Sequence, residues 1–448
     1  MALCASSIFA MTHRKISKYI RTVFYDCDTV LLYNTVNKSI VALEKDLIDL
    51  NSRIVSLSDD DIISLEQMGF FISDSQALAE YGKIYNDDSQ LIISIETHLK
   101  CNLSCPYCYQ NGKKTSGVID NSVLDSLYDY IVETASSRVV KTIVVKVLGG
   151  EPTIEWEKCT YILEKLYSFC KSTNIEFIVM VDTNGTLVNE LCSFKCYDKM
   201  VLTIPLIEKT LHDKVRKKAN QCGTYDLIVE NINRIQNEMD RVFINIRYNV
   251  DNENKNHFET FVESIKEKIP KNSFIYLNYV MNLADCDYQN KMTLYEFNKW
   301  ITSVAIPVLI KHRVPITIAP TGAKSKCQCF SKNSLKVFSD GTVGPCAMFF
   351  FKDRIQLSEY RNNHNLPNYW KTTKNLNILE KSCANCEKLF LCNGAKYMPC
   401  IKSVCNDPCN TLQGEIDFCL DDYIKLYYEC MQYGCEDLFI GFDEQGLR

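Results

Sequence analysis

The sequence predicts an α/β protein whose central part is a parallel sheet or barrel, set between a small N-terminal module and a cysteine-rich C-terminal region. Three observations predict this organisation. Strand-like and helix-like patterns alternate from about 91 to 320, as expected for repeated β-α units. The residues before 85 read as a hairpin followed by helices, and the residues after 320 lose periodicity and gain cysteine.

The composition is that of a globular protein with a sizeable core. The chain has 448 residues, of which 46% are hydrophobic and 23% charged, and its net charge is −5. This balance does not build the basic surface that nucleic-acid binding needs. We find no apolar run long enough to cross a bilayer and no signal-peptide pattern at the start. We therefore expect a cytoplasmic protein with no nucleic-acid or membrane partner.

Cysteine is the anomaly of the composition, with 23 residues. Three of them fall within 101–108 and twelve follow residue 320, whereas the others are scattered. In a reducing compartment, clustered thiols are typical of metal or iron–sulfur ligands rather than of disulfides. The clusters therefore predict function, and the scattered cysteines predict packing.

The N-terminal module is predicted to span 1–85. An alternating stretch from Asp28 to Leu43 has a polar centre, Asn34 to Ser39, and reads as a hairpin. Helical patterns follow at 44–50 and 58–68, then a short strand at 69–73 and a polar linker at 74–90. A hairpin with two or three helices predicts a winged-helix-like module.

The central region, 91–320, supplies six predicted strands separated by amphipathic helices. The strands are 91–96, 142–148, 176–182, 200–206, 242–250 and 274–280, and the helices include 121–135, 156–169, 224–239 and 294–311. In such a fold the chemistry lies at the C-terminal ends of the strands. The first of those ends is followed directly by the first cysteine cluster.

Cys101, Cys105 and Cys108 follow one another as C-x3-C-x2-C on the loop after the first barrel strand. Three thiolates on a curled loop can hold three irons of a 4Fe–4S cubane and leave the fourth iron without a protein ligand, as in a catalytic cluster. The alternative is a tetrahedral zinc site, which needs a fourth ligand. His98 is the nearest candidate for that role.

This motif resembles the signature of the radical S-adenosylmethionine (SAM) superfamily, with Tyr107 at its aromatic position. The resemblance implies a partial (β/α)6 TIM-type radical SAM barrel, in which SAM chelates the open iron. It also implies SAM contacts from a GGEP-like turn and from residues after later strands, although ordinary turns are the alternative. These residues are Gly149, Gly150, Glu151, Pro152, Thr183, Asn184, Arg247 and Asn249. His212 and Arg216 are interpreted as structural.

The tail, 321–448, resembles a SPASM domain, which is an extension that carries two auxiliary 4Fe–4S clusters. Cys329, Gly341 and Cys346 fit C-x9-15-G-x4-C, and Cys327 fits as well. Cys383, Cys386 and Cys392 fit C-x2-C-x5-C, but Lys396 stands where the next cysteine is expected. The resemblance implies three 4Fe–4S clusters in all, with zinc as the alternative for the CxxC pairs.

The departure from the pattern leaves the later tail ligands open. Cys400 is assigned to the first auxiliary cluster with Cys329, Cys346 and Cys327. Cys419 is assigned to the second auxiliary cluster with Cys383, Cys386 and Cys392. Cys405 and Cys409 are rivals for these two positions. Cys430 and Cys435, on a closing helical segment, and the scattered cysteines are not expected to be ligands.

The combined resemblance implies a peptide maturase. The N-terminal module looks like the leader-recognition element of such enzymes, with a plain dimerisation or cap domain as the alternative. The expected reaction is an intramolecular crosslink, thioether or carbon–carbon, in a ribosomally made precursor peptide with a leader. A flavodoxin or ferredoxin would supply electrons. The residue after Cys346 is Ala347, not the aspartate of sulfatase-maturating enzymes, so sulfatase maturation is discounted. Two alternatives remain, a maturase acting on a folded protein and a non-catalytic iron–sulfur or zinc electron-transfer protein.

Overall fold

The N-terminal residues form two small sheets and two helices. A computed structural model describes residues 2–3, 11–108, 110, 117–218, 220–268, 273–280, 288–316, 327–346, 354–363, 368–374, 376–392, 394, 397, 408–435 and 438. The first strands are β1 (Ala2–Leu3), β2 (Thr12–Lys15), β3 (Ile20–Phe24), β4 (Thr29–Asn34), β5 (Ile40–Glu44), β6 (Ile48–Asp49) and β7 (Ile54–Leu57). The sheets have the orders β1-β5-β4-β3 and β2-β7-β6. β4 and β5 pair antiparallel across residues 35–39, where the sequence predicted a hairpin turn.

Two helices follow these strands, α1 (Asp59–Gln67) and α2 (Asp74–Tyr85). The predicted helix at 44–50 is wrong, because only a 3-10 turn forms at Lys45–Leu47. The predicted strand at 69–73 and the linker at 74–90 are also wrong. Ser73 and Gln76 form a capping box that starts α2. The buried residues of α2, Ala77, Tyr81 and Tyr85, belong to an apolar cluster that includes tail residues.

Six parallel strands form the centre of the molecule, and all six predicted strands are found. They are β8 (Gln90–Glu96), β9 (Thr142–Leu148), β10 (Glu176–Asp182), β11 (Lys199–Pro205), β12 (Val242–Val250) and β13 (Ser273–Tyr279). The helices between and after them are α3 (Asn121–Ser137), α4 (Trp156–Thr173), α5 (Asn189–Ser193), α6 (Lys209–Val215), α7 (Tyr225–Glu238), α8 (Phe258–Ile265), α9 (Leu294–Trp300) and α10 (Ile306–Lys311). A π-helical segment, Ile301–Ala305, joins the last two. The strand order follows the chain order, so the predicted α/β barrel-type fold is confirmed.

The two faces of this sheet differ in chemistry. Alternate strand residues such as Ile143, Val145 and Val147 belong to the large apolar core shared with the helices. Because side chains alternate across a strand, the residues between them point to the other face, into the barrel lumen. The lumen face carries polar residues on several strands, and its apolar part includes Met180 and Phe274.

The tail extends the central sheet instead of forming a separate one. β14 (Ser334–Val337) pairs parallel with β8, and β15 (Thr342–Gly344) and β16 (Ile355–Gln356) continue the sheet antiparallel. The helices of this region are α11 (Leu357–Asn363), α12 (Asn368–Lys374), α13 (Leu389–Cys392) and α14 (Pro408–Gln432). α14 packs Leu420, Ile424 and Tyr428 against the sheet that contains β4. Within the described ranges, no helix is long and apolar enough to cross a membrane.

Candidate active site

The first cysteine cluster lies at the C-terminal end of β8. The side chains of Cys101, Cys105 and Cys108 line one small pocket, together with Leu99, Leu103, Gln110 and Gly150. A turn brings the last two thiols together, since the Cys108 amide donates to the Cys105 carbonyl at 3.2 Å. His98 is buried and is not among the described residues that line this pocket. Its Nδ1 accepts from the Lys100 amide at 3.1 Å.

Gly149 and Gly150 let the second strand end touch the cysteine loop. The Gly150 amide donates to the His98 carbonyl at 3.1 Å, and the Glu151 amide donates to the Lys100 carbonyl at 2.8 Å. A Cβ at Gly150 would lie 2.0 Å from the Lys100 oxygen, and one at Gly149 2.4 Å from the His98 oxygen. No side chain fits at either position without moving the loop that carries the thiols.

Glu151 is a buried junction between three loops. Its carboxylate accepts from the hydroxyls of Thr153, at 2.6 Å, and Thr183, at 2.7 Å. It also accepts from the backbone amides of Thr153 and Asn184. Burial raises the pKa of the Glu151 carboxyl, and these hydrogen bonds oppose that rise. The following Pro152 is buried and begins a 3-10 turn, Pro152–Glu155. This turn leads the chain into α4.

The turn after β10 contacts the cysteine loop directly. The Asn184 side chain donates to the Asn102 side chain at 2.7 Å and lies 3.9 Å from the Cys101 sulfur. The Asn102 amide in turn donates to the Thr186 hydroxyl at 2.9 Å. Asn184, expected from the resemblance to contact SAM, therefore lies next to the first thiol, and Thr183 precedes it in the same turn.

Tyr107 and Arg216 meet at the second thiol. The Arg216 guanidinium donates to the Tyr107 hydroxyl at 3.1 Å and lies 3.5 Å from the Cys105 sulfur. Arg216 is only 4% exposed. The sequence interpretation of Arg216 as merely structural missed this contact. The available signal was its position just after α6, on the loop that follows a barrel strand.

Arg247 and Asn249 point into the lumen from β12. Arg247 donates to the Asp182 carboxylate at 3.2 Å. The Asn249 side-chain oxygen accepts from the Asn278 amide at 2.9 Å. Burial raises the pKa of the Tyr107 phenol, and a side-chain hydrogen bond with Asn249 opposes that rise. The structure thus brings Asn249 close to Tyr107 of the cysteine loop. Arg247 instead forms an ion pair with Asp182 at the end of β10.

The first tail cysteines gather in one place. The sulfur atoms of Cys327 and Cys329 lie 3.3 Å apart. A hydrogen bond from the Cys329 thiol lowers the pKa of Cys327, which favours a thiolate there. Cys346 and Cys383 pack against the same apolar cluster. Cysteines from both tail motifs therefore contact one apolar cluster.

The second tail group is built around a tight turn. The Cys386 amide donates to the Cys383 carbonyl at 3.0 Å, and the Cys392 amide donates to Lys388. Cys419 is buried on α14. Cys400 and Cys405 lie outside the described residues, and the Cys409 side chain is outside them as well.

Aromatic side chains of the N-terminal module pack in the same apolar cluster as the tail cysteines. Tyr19, Tyr81 and Tyr85 belong to the apolar cluster that contains Cys327, Cys329, Cys346 and Cys383. The Tyr85 hydroxyl donates to the Leu376 carbonyl at 2.6 Å, and the Tyr19 hydroxyl donates to the Ala384 carbonyl at 3.2 Å. No pattern along the chain predicted that the first module touches the cysteine-rich tail.

Comparisons with known proteins agree with this site. Residues 95–265 match the family model of the Radical SAM superfamily. A cysteine-type anaerobic sulfatase-maturating enzyme of Clostridium novyi is 25% identical over 329 residues, 65% of this chain and 83% of the relative. The enzyme of the same description from Clostridium perfringens is 23% identical over 331 residues, 66% of this chain and 85% of the relative.

A solved structure shares the fold. Native anSMEcpe with bound AdoMet and Kp18Cys peptide has a TM-score of 0.55 and 18% identity, over 78% of this chain and 99% of that chain. The chain described here is a radical SAM enzyme. The similarity to the clostridial maturating enzymes extends beyond residues 95–265, over 65% of this chain. The non-catalytic alternative does not agree with this assignment.

Proposed function

We propose that this enzyme installs an intramolecular crosslink, thioether or carbon–carbon, in a ribosomally made precursor peptide. In this proposal Cys101, Cys105 and Cys108 hold a 4Fe–4S cluster with one iron left for SAM. When bound, this pair of cofactors supplies a 5′-deoxyadenosyl radical that removes a hydrogen atom from a Cα or Cβ of the substrate. The observation that carries the proposal is the single pocket lined by all three thiols, because its other described lining residues include no further Cys, His or acidic side chain.

The SAM site is assigned to the loops that converge on this pocket. Gly149 and Gly150 hold the cysteine loop at a fixed distance, and Glu151 holds the turn at Thr183 and Asn184 beside it. Arg216 and Tyr107 give this side of the pocket a buried cation and a hydroxyl. Arg247, Asn249 and Pro152 complete the set of proposed SAM-binding positions. A forked guanidinium suits the SAM carboxylate, and Arg216 lies nearer to the thiols than Arg247 does.

Two auxiliary clusters, which bring the total to three, are part of the proposal. Cys327, Cys329, Cys346 and Cys400 would hold the first, and Cys383, Cys386, Cys392 and Cys419 the second. Cys327, Cys329 and Cys346 all belong to or contact one apolar cluster, which supports their assignment to one site. Such clusters would accept the second electron of the oxidation. A flavodoxin or ferredoxin is proposed as the external donor.

The N-terminal module is proposed to dock the leader of the precursor. Its strand β3 lies at the edge of the sheet β1-β5-β4-β3, and an edge strand offers unpaired backbone groups to an added strand. A small pocket beside β3 is lined in part by Lys18, Arg21, Arg53, Glu387 and Lys388. Lys18 pairs with Asp74 and Arg21 with Asp421, so we propose that the leader is held mainly by the backbone of β3. Tyr81 and Tyr85 of α2 pack in the cluster that contains Cys327, Cys329 and Cys383, which supports a contact between this module and the proposed auxiliary clusters.

The nature of the substrate separates this proposal from a second candidate. The two clostridial relatives are described as sulfatase-maturating enzymes, which favours action on a folded or folding protein. Against transfer of that activity, Ala347 follows Cys346 here, where the resemblance calls for an aspartate as general base. A methyl group cannot accept a proton, so the crosslinking reaction is preferred.

The test is anaerobic reconstitution followed by dithionite and SAM. We expect about twelve irons per chain for three clusters of four, and formation of 5′-deoxyadenosine. Changing Cys101, Cys105 and Cys108 together to Ala should abolish deoxyadenosine and leave about eight irons. A matched control replaces Cys27, Cys222 and Cys435 with Ala. Deoxyadenosine formed by the first triple variant would contradict the assignment.

The crosslink itself is tested on the peptide. The precursor candidates are small Cys-rich or Gly-rich reading frames encoded beside this gene. Treatment with the reconstituted enzyme should remove two hydrogens from one of them, and fragmentation should fail between the joined residues. A product in which a Cys or Ser has become an aldehyde would favour the second candidate instead.

A further inference from the structure

The barrel lumen contains a row of polar side chains that the proposed cofactor sites do not use. Lys336 on β14 and Lys146 on β9 both pair in register with Ser94 on β8. All three lie on the face opposite to the apolar core residues of their strands, such as Val145 and Leu335. Two lysines therefore project into the lumen from strands that flank β8, below the cysteine loop.

Among the described residues of the lumen, two basic side chains have an acidic partner within ion-pair distance. The Lys336 ammonium lies 3.7 Å from the Glu96 carboxylate, and Arg247 pairs with Asp182 at 3.2 Å. Lys146 has neither a hydrogen bond nor an ion pair with any side chain in the part of the chain that the structure describes. Its ammonium is thus an extra positive charge inside the barrel.

An isolated charge in such a place is costly. Burial lowers the pKa of Lys146, and the nearby charges of Asp182 and Cys346 only partly oppose this effect. An anionic group brought into the lumen would restore the missing interaction, because charges attract strongly where water is scarce. The side chain is still partly accessible, so a ligand can reach it from the lumen.

A second orphan polar group faces the same space. Asn245 on β12 is 4% exposed, and its side-chain oxygen has no hydrogen-bond partner within the described ranges. It lies on the lumen face, in register with Thr203 and Phe274. An amide N–H of an inserted peptide would satisfy this acceptor. The lumen therefore offers a cation on one wall and an acceptor on another.

We propose that Lys146 binds an anionic group, a carboxylate or a thiolate, of the substrate residue that enters the barrel. This inference rests on the proposed peptide-modifying function and specifies the class of residue that is selected. The ammonium acts as a positioning and specificity-determining group. It holds the substrate side chain between the cysteine loop and the tail cysteine Cys346, and it takes no part in bond breaking.

The test uses small deuterated probes with the reconstituted enzyme. N-acetyl N-methylamides of Asp, Asn, Cys and Ser, deuterated at Cα and Cβ, are supplied at high concentration with SAM and dithionite at about pH 8.5, near the thiol pKa. The measured quantity is the fraction of 5′-deoxyadenosine that carries deuterium. The Asp–Asn pair reports on a carboxylate, and the Cys–Ser pair reports on a thiolate.

We expect at least one anionic probe to exceed its neutral partner by about tenfold or more, as for a charged hydrogen bond. Lys146→Met should bring that ratio close to one, and Lys146→Arg should preserve most of it. Lys141→Met, an exposed lysine just before β9, is the matched control and should keep the ratio. Normalising to total deoxyadenosine removes effects on SAM cleavage itself.

Two results would overturn the inference. One is a ratio near one for both pairs in the unmodified enzyme while deoxyadenosine is being formed. The other is an unchanged ratio in Lys146→Met, which would assign the lysine to SAM or to the cluster near Cys346. Absence of deoxyadenosine with every probe, and without any probe, would instead contradict the proposed function.

Discussion

The guanidinium of Arg216 donates a hydrogen bond to the hydroxyl of Tyr107 at 3.1 Å. The same group lies 3.5 Å from the Cys105 sulfur. Its Nε is buried, and no hydrogen-bond partner for it occurs among the described residues. Such a cation beside a thiolate ligand would favour the more negative, reduced state of a bound cluster.

Arg216→Gln is therefore expected to slow deoxyadenosine formation by about tenfold or more, the equivalent of a charged hydrogen bond. Arg216→Lys should rescue it only in part, because a point charge does not reproduce a fork of donors. The readouts are the rate of SAM cleavage and the reduction potential of the first cluster. Tyr107→Phe, which removes one hydroxyl, is the matched control with a smaller effect. A wild-type potential in Arg216→Gln would refute this role.

Gly150→Ala should lose the first cluster selectively. The added Cβ would meet the Lys100 oxygen at 2.0 Å, so the loop of three cysteines must move. We expect iron to fall from about twelve to about eight per chain and deoxyadenosine to disappear. Gly82→Ala on α2 is the control, because its Cβ would make an ordinary 3.5 Å contact with Leu379. That variant should gain about 0.5–1 kcal/mol of helix stability. Full iron content in Gly150→Ala would show that the loop has room to shift.

The central strands could be predicted because buried parallel strands read as continuous β-branched runs bounded by turns. The stretch 142–148 is an example, and its predicted bounds match β9. α2 escaped because its exposed residues made 74–90 look like a linker. Its start signal, Ser73 with Gln76 three residues later, was present in the sequence. A capping box of that kind is better evidence for a helix than the average polarity of the segment is against it.

The site could be predicted where one short motif carries it, and not where loops converge. The three thiols lie within residues 101–108, and the two glycines are neighbours at 149 and 150. Each of these two groups is therefore visible without tertiary information. Glu151, by contrast, bonds to Thr183 across 32 positions, and Arg216 reaches Cys105 across 111. The lumen charge on Lys146 escaped for the same reason, since an unpaired charge is defined only by what surrounds it. Spacing along the chain cannot report such contacts.

His212 should make the enzyme sensitive to mild acid. It is fully buried, its Nε2 lies 3.1 Å from the Thr224 hydroxyl, and burial, together with the Arg216 charge, holds its pKa well below the ordinary value. Below about pH 6.5 the unfolded chain binds a proton there that the folded chain excludes. The free energy of unfolding should thus fall by up to about 1.4 kcal/mol per pH unit as the pH drops.

The measurement is urea unfolding between about pH 7 and pH 5, read by tryptophan fluorescence. His212→Gln should show a shallower fall of stability with pH than the unmodified chain. The exposed His257 provides the control His257→Gln, which should follow the unmodified chain. Equal slopes for all three proteins would show that His212 has the same pKa in the folded and unfolded chains.

The last prediction concerns the link between the first module and the tail. Tyr81 and Tyr85 of α2 pack in the cluster that contains Cys383, and Tyr85 also bonds to the Leu376 carbonyl. Ile62 and Leu65 of α1 pack instead in a cluster formed wholly by N-terminal residues. If the tail needs metal to hold its shape, loss of its ligands should loosen α2 and spare α1.

Changing Cys383 and Cys386 to Ala should therefore speed hydrogen exchange in α2 by about tenfold, or about 1.4 kcal/mol of local stability. α1 provides the internal control in the same protein, and exchange there should not change. Faster exchange in both helices would mean that the whole module unfolds. Unchanged exchange in α2 would show that the packing of Tyr81 and Tyr85 does not depend on metal bound by Cys383 and Cys386. Selective loosening of α2 would show that this helix depends on the metal-bound state of the tail.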